Sequence, residues 1–315
     1  MKKIRSALAL AGLFAFVSLR CHALVISETF TNNPALDGWS AFGDTNLFQW
    51  NSTNQDLDVT WNSQTNNSYY YRSLGLTLAK TDSFSLDFDI QLNDISWSGY
   101  PALAIGLFNF ADATNAAFSR PDANSPNLFE FDYYPDGGYG LPNVAATMTD
   151  MTESETNYND YYFIWDNLPL NPGVTYHVSL VHTADATNLT ATVFTNGQVY
   201  TTMPFAYPGP ITDFRYDTIS ISSYEDDYDP LLATGTVGNI VFANPLPVMQ
   251  ILTAAPGNVQ FSATTNWVYT LERTSDFLSW TDVSPPTAGV TGVMSLSDTN
   301  PPPDMAFYRV RATLP

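Results

Sequence analysis

Hydrophobic and polar residues alternate along most of the chain beyond residue 23. This two-residue period is typical of β-strands that bury one face and leave the other in water. It predicts strands at residues 56–62, 83–93, 102–110, 128–134, 175–182, 189–194, 198–203, 217–223 and 236–242. Asn196 and Gly197 predict a tight hairpin turn between two of them, because both residues tolerate positive φ. The chain beyond residue 23 has almost no apolar residues at helical spacing, so we predict an all-β protein.

The segment 128–134 differs from the other predicted strands in the chemistry of its polar face. Its aromatic residues at 129, 131 and 133 point to one side, and Glu130, Asp132 and Tyr134 point to the other. We predict that the aromatic side is buried and that the side with the two carboxylates is exposed. Carboxylates at this spacing suit a metal site, a site for sugar hydroxyls or a general acid/base pair.

A proline-containing linker at residues 244–247 divides the chain into parts of different character. Beyond it, short strands are predicted at 259–262, 267–272, 278–282, 292–296 and 307–311, interrupted by prolines at 285–286 and 301–303. We therefore predict a large β-domain over residues 24–245 and a small β-sandwich module over residues 246–315.

The first 23 residues have the pattern of a secretory signal peptide. Lys2, Lys3 and Arg5 precede an apolar run at 7–17 that is too short to span a bilayer, and Ala23 suits the cleavage site. We predict a secreted protein, in the extracellular space, the periplasm or at the cell surface. The only cysteine is Cys21, so the exported chain has no disulfide and depends on its hydrophobic core.

The charge balance is strongly acidic. The chain has 31 acidic and 11 basic residues, and four of the basic residues lie within the first 23. An exported protein of this charge repels nucleic acid and anionic lipid surfaces and attracts cations, calcium above all. We expect no nucleic-acid partner and no membrane insertion, and the sequence leaves the oligomeric state open.

Three features of residues 24–245 resemble the concanavalin A-like jelly rolls, including the LamG-like domains of secreted bacterial proteins. They are Glu28-Thr29-Phe30 followed by Gly38-Trp39, the strand pair 173–180 and 189–197, and the closing strands 217–224 and 235–241. Segments 269–283 and 306–310 resemble immunoglobulin or fibronectin type III sandwiches, which act as accessory modules. The resemblance implies a concanavalin A-like jelly-roll sandwich followed by an accessory β-sandwich.

In the concanavalin A-like fold, a Glu-x-Asp strand has two known uses. In laminarinase-type glycoside hydrolases the first Glu is the nucleophile and a later Glu is the acid/base, but Tyr134 and Pro135 occupy the later positions here. In legume-type lectins the strand supplies calcium ligands, and Glu130, Asp132 and Asp136 match that pattern, with Asp replacing the final Asn. Residues 141–146 lack the Asp and His that complete a two-metal site, so the resemblance implies a single calcium ion.

Aromatic residues add a second kind of sugar contact, because their faces can stack on the apolar faces of sugar rings. The predicted sugar-binding residues are Glu130, Asp132, Tyr134, Trp97 and Trp165, with Trp97 in a loop at 95–101. The opposing interpretation is that the acidic residues are solvated, as expected at Asp87 and Asp89, where no motif is present. His177 and His182 lie five apart on one strand and therefore point to opposite faces.

These observations predict a secreted, non-catalytic carbohydrate-binding or surface-interaction protein, with a polysaccharide or other glycan as partner and calcium as cofactor. One alternative is a glycoside hydrolase or lyase that degrades polysaccharides. Another is a structural component of an extracellular matrix. The fold class does not decide among them, because one fold hosts many functions.

Overall fold

The computed structural model describes residues 24–98, 102–115, 127–135, 141–150, 160–184, 188–206, 214–226, 230–244, 251–255, 257–264, 267–302 and 306–313. The chain divides into two compact units, Ala23–Leu246 and Pro247–Pro315. Within the described ranges, no helix is long and apolar enough to cross a membrane.

The first unit consists almost entirely of strands in its described parts. Its strands are β1 (Leu24–Glu28), β2 (Trp39–Phe42), β3 (Phe48–Asn51), β4 (Asp56–Asn62), β5 (Ser68–Leu78), β6 (Phe84–Ser98), β7 (Leu103–Phe108), β8 (Leu128–Tyr134), β9 (Asn143–Asp150), β10 (Asp160–Asp166), β11 (Thr175–His182), β12 (Asn188–Thr195), β13 (Gln198–Ala206), β14 (Tyr216–Ser223) and β15 (Leu231–Asn244). Short 3₁₀ helices span Pro34–Asp37 and Thr45–Leu47, and the one-turn helix α1 spans Phe110–Ala113.

These strands form two antiparallel sheets. The eight-stranded sheet has the order β13-β12-β11-β6-β15-β4-β3, with β1 also paired to β15. The seven-stranded sheet has the order β10-β9-β8-β7-β14-β5-β2. Apolar side chains from both sheets form one main core, in which Phe88 of β6 lies against Phe131 of β8 with ring centroids 6.1 Å apart. The all-β jelly-roll prediction is confirmed.

Alternation explains the strands that face water on one side. In β4, Leu57, Val59 and Trp61 are buried in the main core, and the residues between them are half-exposed. In contrast, every residue of β7 is buried, as expected for a central strand covered on both faces.

The predicted loop at 95–101 is wrong over its described residues, and several strands were not predicted. Residues 95–98 continue β6 as a strand, because irregularities in its pairing with β15 break the two-residue alternation at this end. The strand β10, which begins at Asp160, was not predicted. The strand β5 was not predicted, because Tyr69 and Tyr70 are both buried, on opposite faces of the sheet, and the alternation is lost there.

The second unit has seven strands in its described residues: β16 (Ile251–Ala255), β17 (Asn258–Ala263), β18 (Val268–Thr274), β19 (Thr281–Asp282), β20 (Thr287–Ala288), β21 (Gly292–Ser297) and β22 (Phe307–Thr313). One sheet has the order β16-β17-β21, and the other joins β19, β20 and β22 to β18. Phe261 of the first sheet and Tyr269, Leu271 and Val310 of the second are buried in a separate apolar core. The unit is a small β-sandwich.

Candidate functional site

The strand β8 lies in the middle of the seven-stranded sheet, between β7 and β9. Phe129, Phe131 and Tyr133 belong to the main core, so Glu130 and Asp132 point to the opposite side of the sheet. We call this side the outer face of the seven-stranded sheet. Directly paired residues of antiparallel strands share a face, so their pairing partners identify the rest of the site.

The outer face is not solvated at its centre, and the predicted exposure of the two carboxylates is wrong. Glu130 is 2% exposed and Asp132 is 0% exposed, which also excludes the interpretation that they are simply solvated. The reason is a second apolar cluster on this face, which the alternation of a single strand does not reveal. It consists of Tyr69, Ala104, Phe108, Ala113, Leu128 and Tyr224.

Each buried carboxylate accepts a hydrogen bond from a hydroxyl group. The Tyr224 hydroxyl donates to Glu130 Oε2 at 2.7 Å. The Thr147 hydroxyl donates to Asp132 Oδ2, and the Tyr134 hydroxyl donates to the same oxygen at 3.4 Å. Such bonds offset part of the cost of removing a carboxylate from water. Tyr224 and Thr147 are distant from β8 in sequence, so the motif alone could not identify them.

The absence of a side chain at Gly106 lets β7 approach β8 closely at Glu130. Gly106 pairs with Glu130, and a Cβ atom at Gly106 would come within 3.0 Å of the Phe129 carbonyl oxygen and of the Glu130 Cα and Cβ atoms. Only glycine permits this contact.

The outer face becomes accessible at the β9–β10 side of Asp132. Ala145 of β9 pairs with Asp132, and Trp165 of β10 pairs with Ala145. The Trp165 side chain is 47% exposed, and Tyr134 and Asn143, which pair with each other, are half-buried. We call Tyr134, Asn143 and Trp165 the Trp165 surface. Ala145, between Trp165 and the strand that carries Asp132, is small and buried.

The structure separates Trp97 from the other predicted sugar contacts. Trp97 lies in β6 of the eight-stranded sheet, where it pairs with Leu232, and therefore does not share the outer face with Glu130. Its prediction as a loop residue was wrong, as noted above. Asp136 lies outside the described residues.

Calcium would need more oxygen ligands than the described part of this site provides. Calcium takes six to eight oxygen ligands. Glu130 and Asp132 each accept a hydroxyl hydrogen bond, and the described residues contain no group of three or more His, Cys, Asp or Glu placed to hold a metal ion. Glu130 and Asp132 alone therefore do not make the predicted calcium site.

A depression of about 480 Å³ on the outer face lies beside Tyr71 and Phe110. Its carboxylate, Asp217, accepts hydrogen bonds from the Phe110 backbone N–H at 2.9 Å and from the Asn109 amide at 3.2 Å. Asp217 therefore stabilises the start of α1, and we do not assign a ligand to this depression.

Comparisons with known proteins identify neighbours by structure alone. No protein-family model matches the chain, and no curated protein matches it in sequence. Lectin II from Ulex europaeus has 16% identity and a TM-score of 0.48, over 71% of this chain and 99% of the lectin. The legume lectin-like domain from Entamoeba histolytica has 10% identity and a TM-score of 0.46, over 70% of this chain and 97% of that domain. An alginate lyase has 13% identity and a TM-score of 0.46, over 70% of this chain and 96% of the lyase.

Proposed function

We propose that the first unit binds neutral glycans through the Trp165 surface. The observation that carries this proposal is the position of the exposed Trp165 ring on the same sheet face as Asp132, the buried carboxylate that accepts a hydrogen bond from the half-exposed Tyr134. An exposed aromatic ring beside fixed polar groups is the usual composition of a sugar-binding surface.

Each residue of the Trp165 surface has a distinct role in this proposal. The Trp165 ring stacks on the apolar face of a sugar. The Tyr134 hydroxyl donates toward Asp132, and in this proposal its oxygen accepts from a sugar hydroxyl. The Asn143 amide, on the strand between them, both donates and accepts. Asp132 does not contact the sugar and instead orients the Tyr134 hydroxyl. The bond between Tyr224 and Glu130 stabilises β8, the strand that carries Tyr134.

The charge of the chain favours a neutral ligand over an anionic one. Residues 23–246 contain only four basic residues, Arg72, Lys80, Arg120 and Arg215. Arg215 is paired with Asp112 at 3.3 Å. The unit's acidic residues would repel a polyuronate or a sulfated glycan over the range of the Debye length.

We further propose that residues 1–23 direct export and that the second unit is an accessory module. Calcium binding also remains part of the proposal, with Asp136 as the additional ligand beside Glu130 and Asp132. Each point has its own test: N-terminal sequencing of the exported protein, binding assays with and without the second unit, and binding assays in calcium and in EDTA.

Glycan-array binding by the full exported chain tests the central proposal. We expect W165A to weaken binding strongly, and W165F and Y134F to weaken it less. F277A is the matched control, because Phe277 is 49% exposed, close to the 47% of Trp165, and lies in the second unit. Binding that W165A leaves unchanged, or that F277A weakens equally, would overturn the assignment.

The two alternative functions predict different outcomes. A hydrolase or lyase would release oligosaccharide ends from a polymer, and E130Q would abolish this release. A matrix component would bind no glycan on the array, with or without calcium. The binding proposal predicts glycan capture without release of new ends.

A further inference from the structure

The outer side of the eight-stranded sheet has an open pocket of about 370 Å³. It is formed by β6, β11 and β12 together with the turn that follows β12. Its lining includes Asp87, Asp89, His177, Ser179, Phe194 and Asn196. The neighbouring residues on these strands, among them Phe88 and Val178, are buried in the main core, so the pocket faces away from it.

The pocket holds an ordered hydrogen-bonded group. His177 Nδ1 lies 2.8 Å from Asp89 Oδ1, and the Asn239 amide donates to Asp89 Oδ2 at 2.7 Å. Asp89 Oδ1 thus contacts His177, while the bond from Asn239 to Oδ2 fixes the Asp89 carboxylate in place. Asn239 has a φ of 49° and lies where the pairing of β15 with β6 is irregular. In this backbone conformation its amide donates to Asp89.

The remaining polar groups line the open pocket. His177 Nε2 and Asp87 Oδ1 are 3.8 Å apart, and both side chains are partly exposed, at 45% and 29%. The Phe194 ring lies beside them, with its centroid 5.8 Å from that of His177. The pocket therefore presents a carboxylate acceptor, an imidazole nitrogen and an aromatic face at one open position.

We infer that this pocket is a second glycan site, which takes a neutral sugar stacked on Phe194 with hydroxyl groups bound to Asp87 and His177. The ligand class rests on the function proposed above, but the pocket shares no residue with the Trp165 surface. Its lining contains no Lys or Arg, which disfavours an anionic sugar. Its volume is within the range of small-ligand sites.

Two sites on the outer sides of opposite sheets would make one unit bivalent. Because the two sites face in opposite directions, a short oligosaccharide cannot occupy both, and a single protein would connect two glycan chains. Because repeated sugars of one polymer can engage several protein copies, the apparent affinity for the polymer then exceeds that of either site, without additional contacts.

Histidine signals give a direct test. The chain beyond residue 23 has two histidines: His177 in the pocket, and His182, which is 1% exposed and hydrogen-bonded to the Asp82 carbonyl at 2.8 Å. We would label the histidines of the full exported chain with ¹³C and record their NMR signals while adding laminarihexaose, cellohexaose or mannohexaose. In parallel titrations, the part of the tryptophan fluorescence change that is missing in W165A reports on Trp165. We expect the His177 signal to shift and saturate while the His182 signal stays fixed.

Variants assign the shift to the pocket. W165A should leave the His177 shift intact. F194A should weaken the affinity obtained from the His177 titration by about tenfold, and D87N should weaken it by about three- to tenfold. T190A, four residues from Phe194 on the same face of β12, is the matched control. If F194A disturbs the His182 signal and therefore the fold, D87N decides.

The outcomes separate this inference from the proposed function. A response at Trp165 with a silent His177 overturns the second site alone. A response at both that W165A abolishes, or that F194A and D87N leave unchanged, also overturns it. Silence at both positions with every probe overturns both proposals.

Discussion

At the scale of single residues, the buried Glu130 depends on the Tyr224 hydroxyl. Tyr224→Phe keeps the ring, which packs 6.2 Å from Tyr69, but removes the donor to Glu130 Oε2. We expect a loss of about 1–3 kcal/mol in the free energy of unfolding, because a buried carboxylate loses a bond. Urea denaturation measures it. Tyr134→Phe, at the half-exposed end of the strand, should cost less than about 0.5 kcal/mol, and equal losses in both variants would contradict this account.

A second buried carboxylate, Glu28, makes stability depend on pH. Its Oε1 accepts from the Phe30 N–H at 2.6 Å, and Phe30 has a φ of 55°. Burial is the main cause that raises the pKa of Glu28 above its ordinary value of 4.5, and nearby Asp37 adds to it. A raised pKa means that the folded state favours the protonated carboxyl. The destabilisation by ionised Glu28 is therefore absent below pH 4.5 and develops as pH rises through the folded-state pKa.

Glu28→Gln tests this pH dependence, because glutamine keeps an acceptor for Phe30 and removes the charge. We expect the Tm of the variant, relative to the unaltered protein, to be higher at pH 7 than at pH 4. Each unit of raised pKa corresponds to about 1.4 kcal/mol. Thermal unfolding at the two pH values measures the difference, and a relative Tm that is lower at pH 7 would contradict the expected sign.

At the scale of elements, the pairing of β7 with β8 depends on Gly106. A methyl group there would collide with the backbone of Phe129 and Glu130, so Gly106→Ala should push β8 outward and cost about 1–3 kcal/mol or more. Gly238→Ala, in β15, is the matched control, since its Cβ would meet no atom within 4 Å. We expect that variant to change stability by less than about 1 kcal/mol. Chemical denaturation of both variants provides the comparison.

Strands with one solvent-exposed face were predictable from the sequence, and strands buried on both faces were less so. The bounds of β4 and β11 match the prediction, as do those of β8 although it is buried on both faces, and Asn196 and Gly197 have the positive φ values expected of their turn. The strand β9 escaped prediction because its residues from Val144 to Thr149 are all buried.

The candidate site was predictable only in part. Alternation placed Glu130, Asp132 and Tyr134 on one face, but it could not show that a separate apolar cluster buries that face. Nor could it bring Asn143 and Trp165 beside them, because sheet order is set by contacts between distant strands. The open pocket that Asp87 and Asp89 line with His177 was not predictable either, because the pairing of distant strands brings these residues together and no motif marks them.

At the scale of the whole molecule, each unit has its own apolar core. In the second unit, Glu272 of β18 is nearly buried and is bound by Arg309 and Arg311 of β22, the latter at 2.8 Å. Arg309 also lies over the Trp280 ring at 4.1 Å. A buried acid between two arginines leaves unpaired charge when it is neutralised, so its loss should be costly, and the cost should remain within that unit.

Calorimetry of Glu272→Gln tests this separation. We expect two thermal transitions in the unaltered chain, of which the variant lowers only one, by about 3 kcal/mol or more in the stability of the second unit. Asp282→Asn is the control, because Asp282 is 50% exposed and bridges Arg311 at 3.1 Å, where a surface pair contributes less than about 1 kcal/mol. A single transition that Glu272→Gln lowers as a whole would mean that the units unfold together.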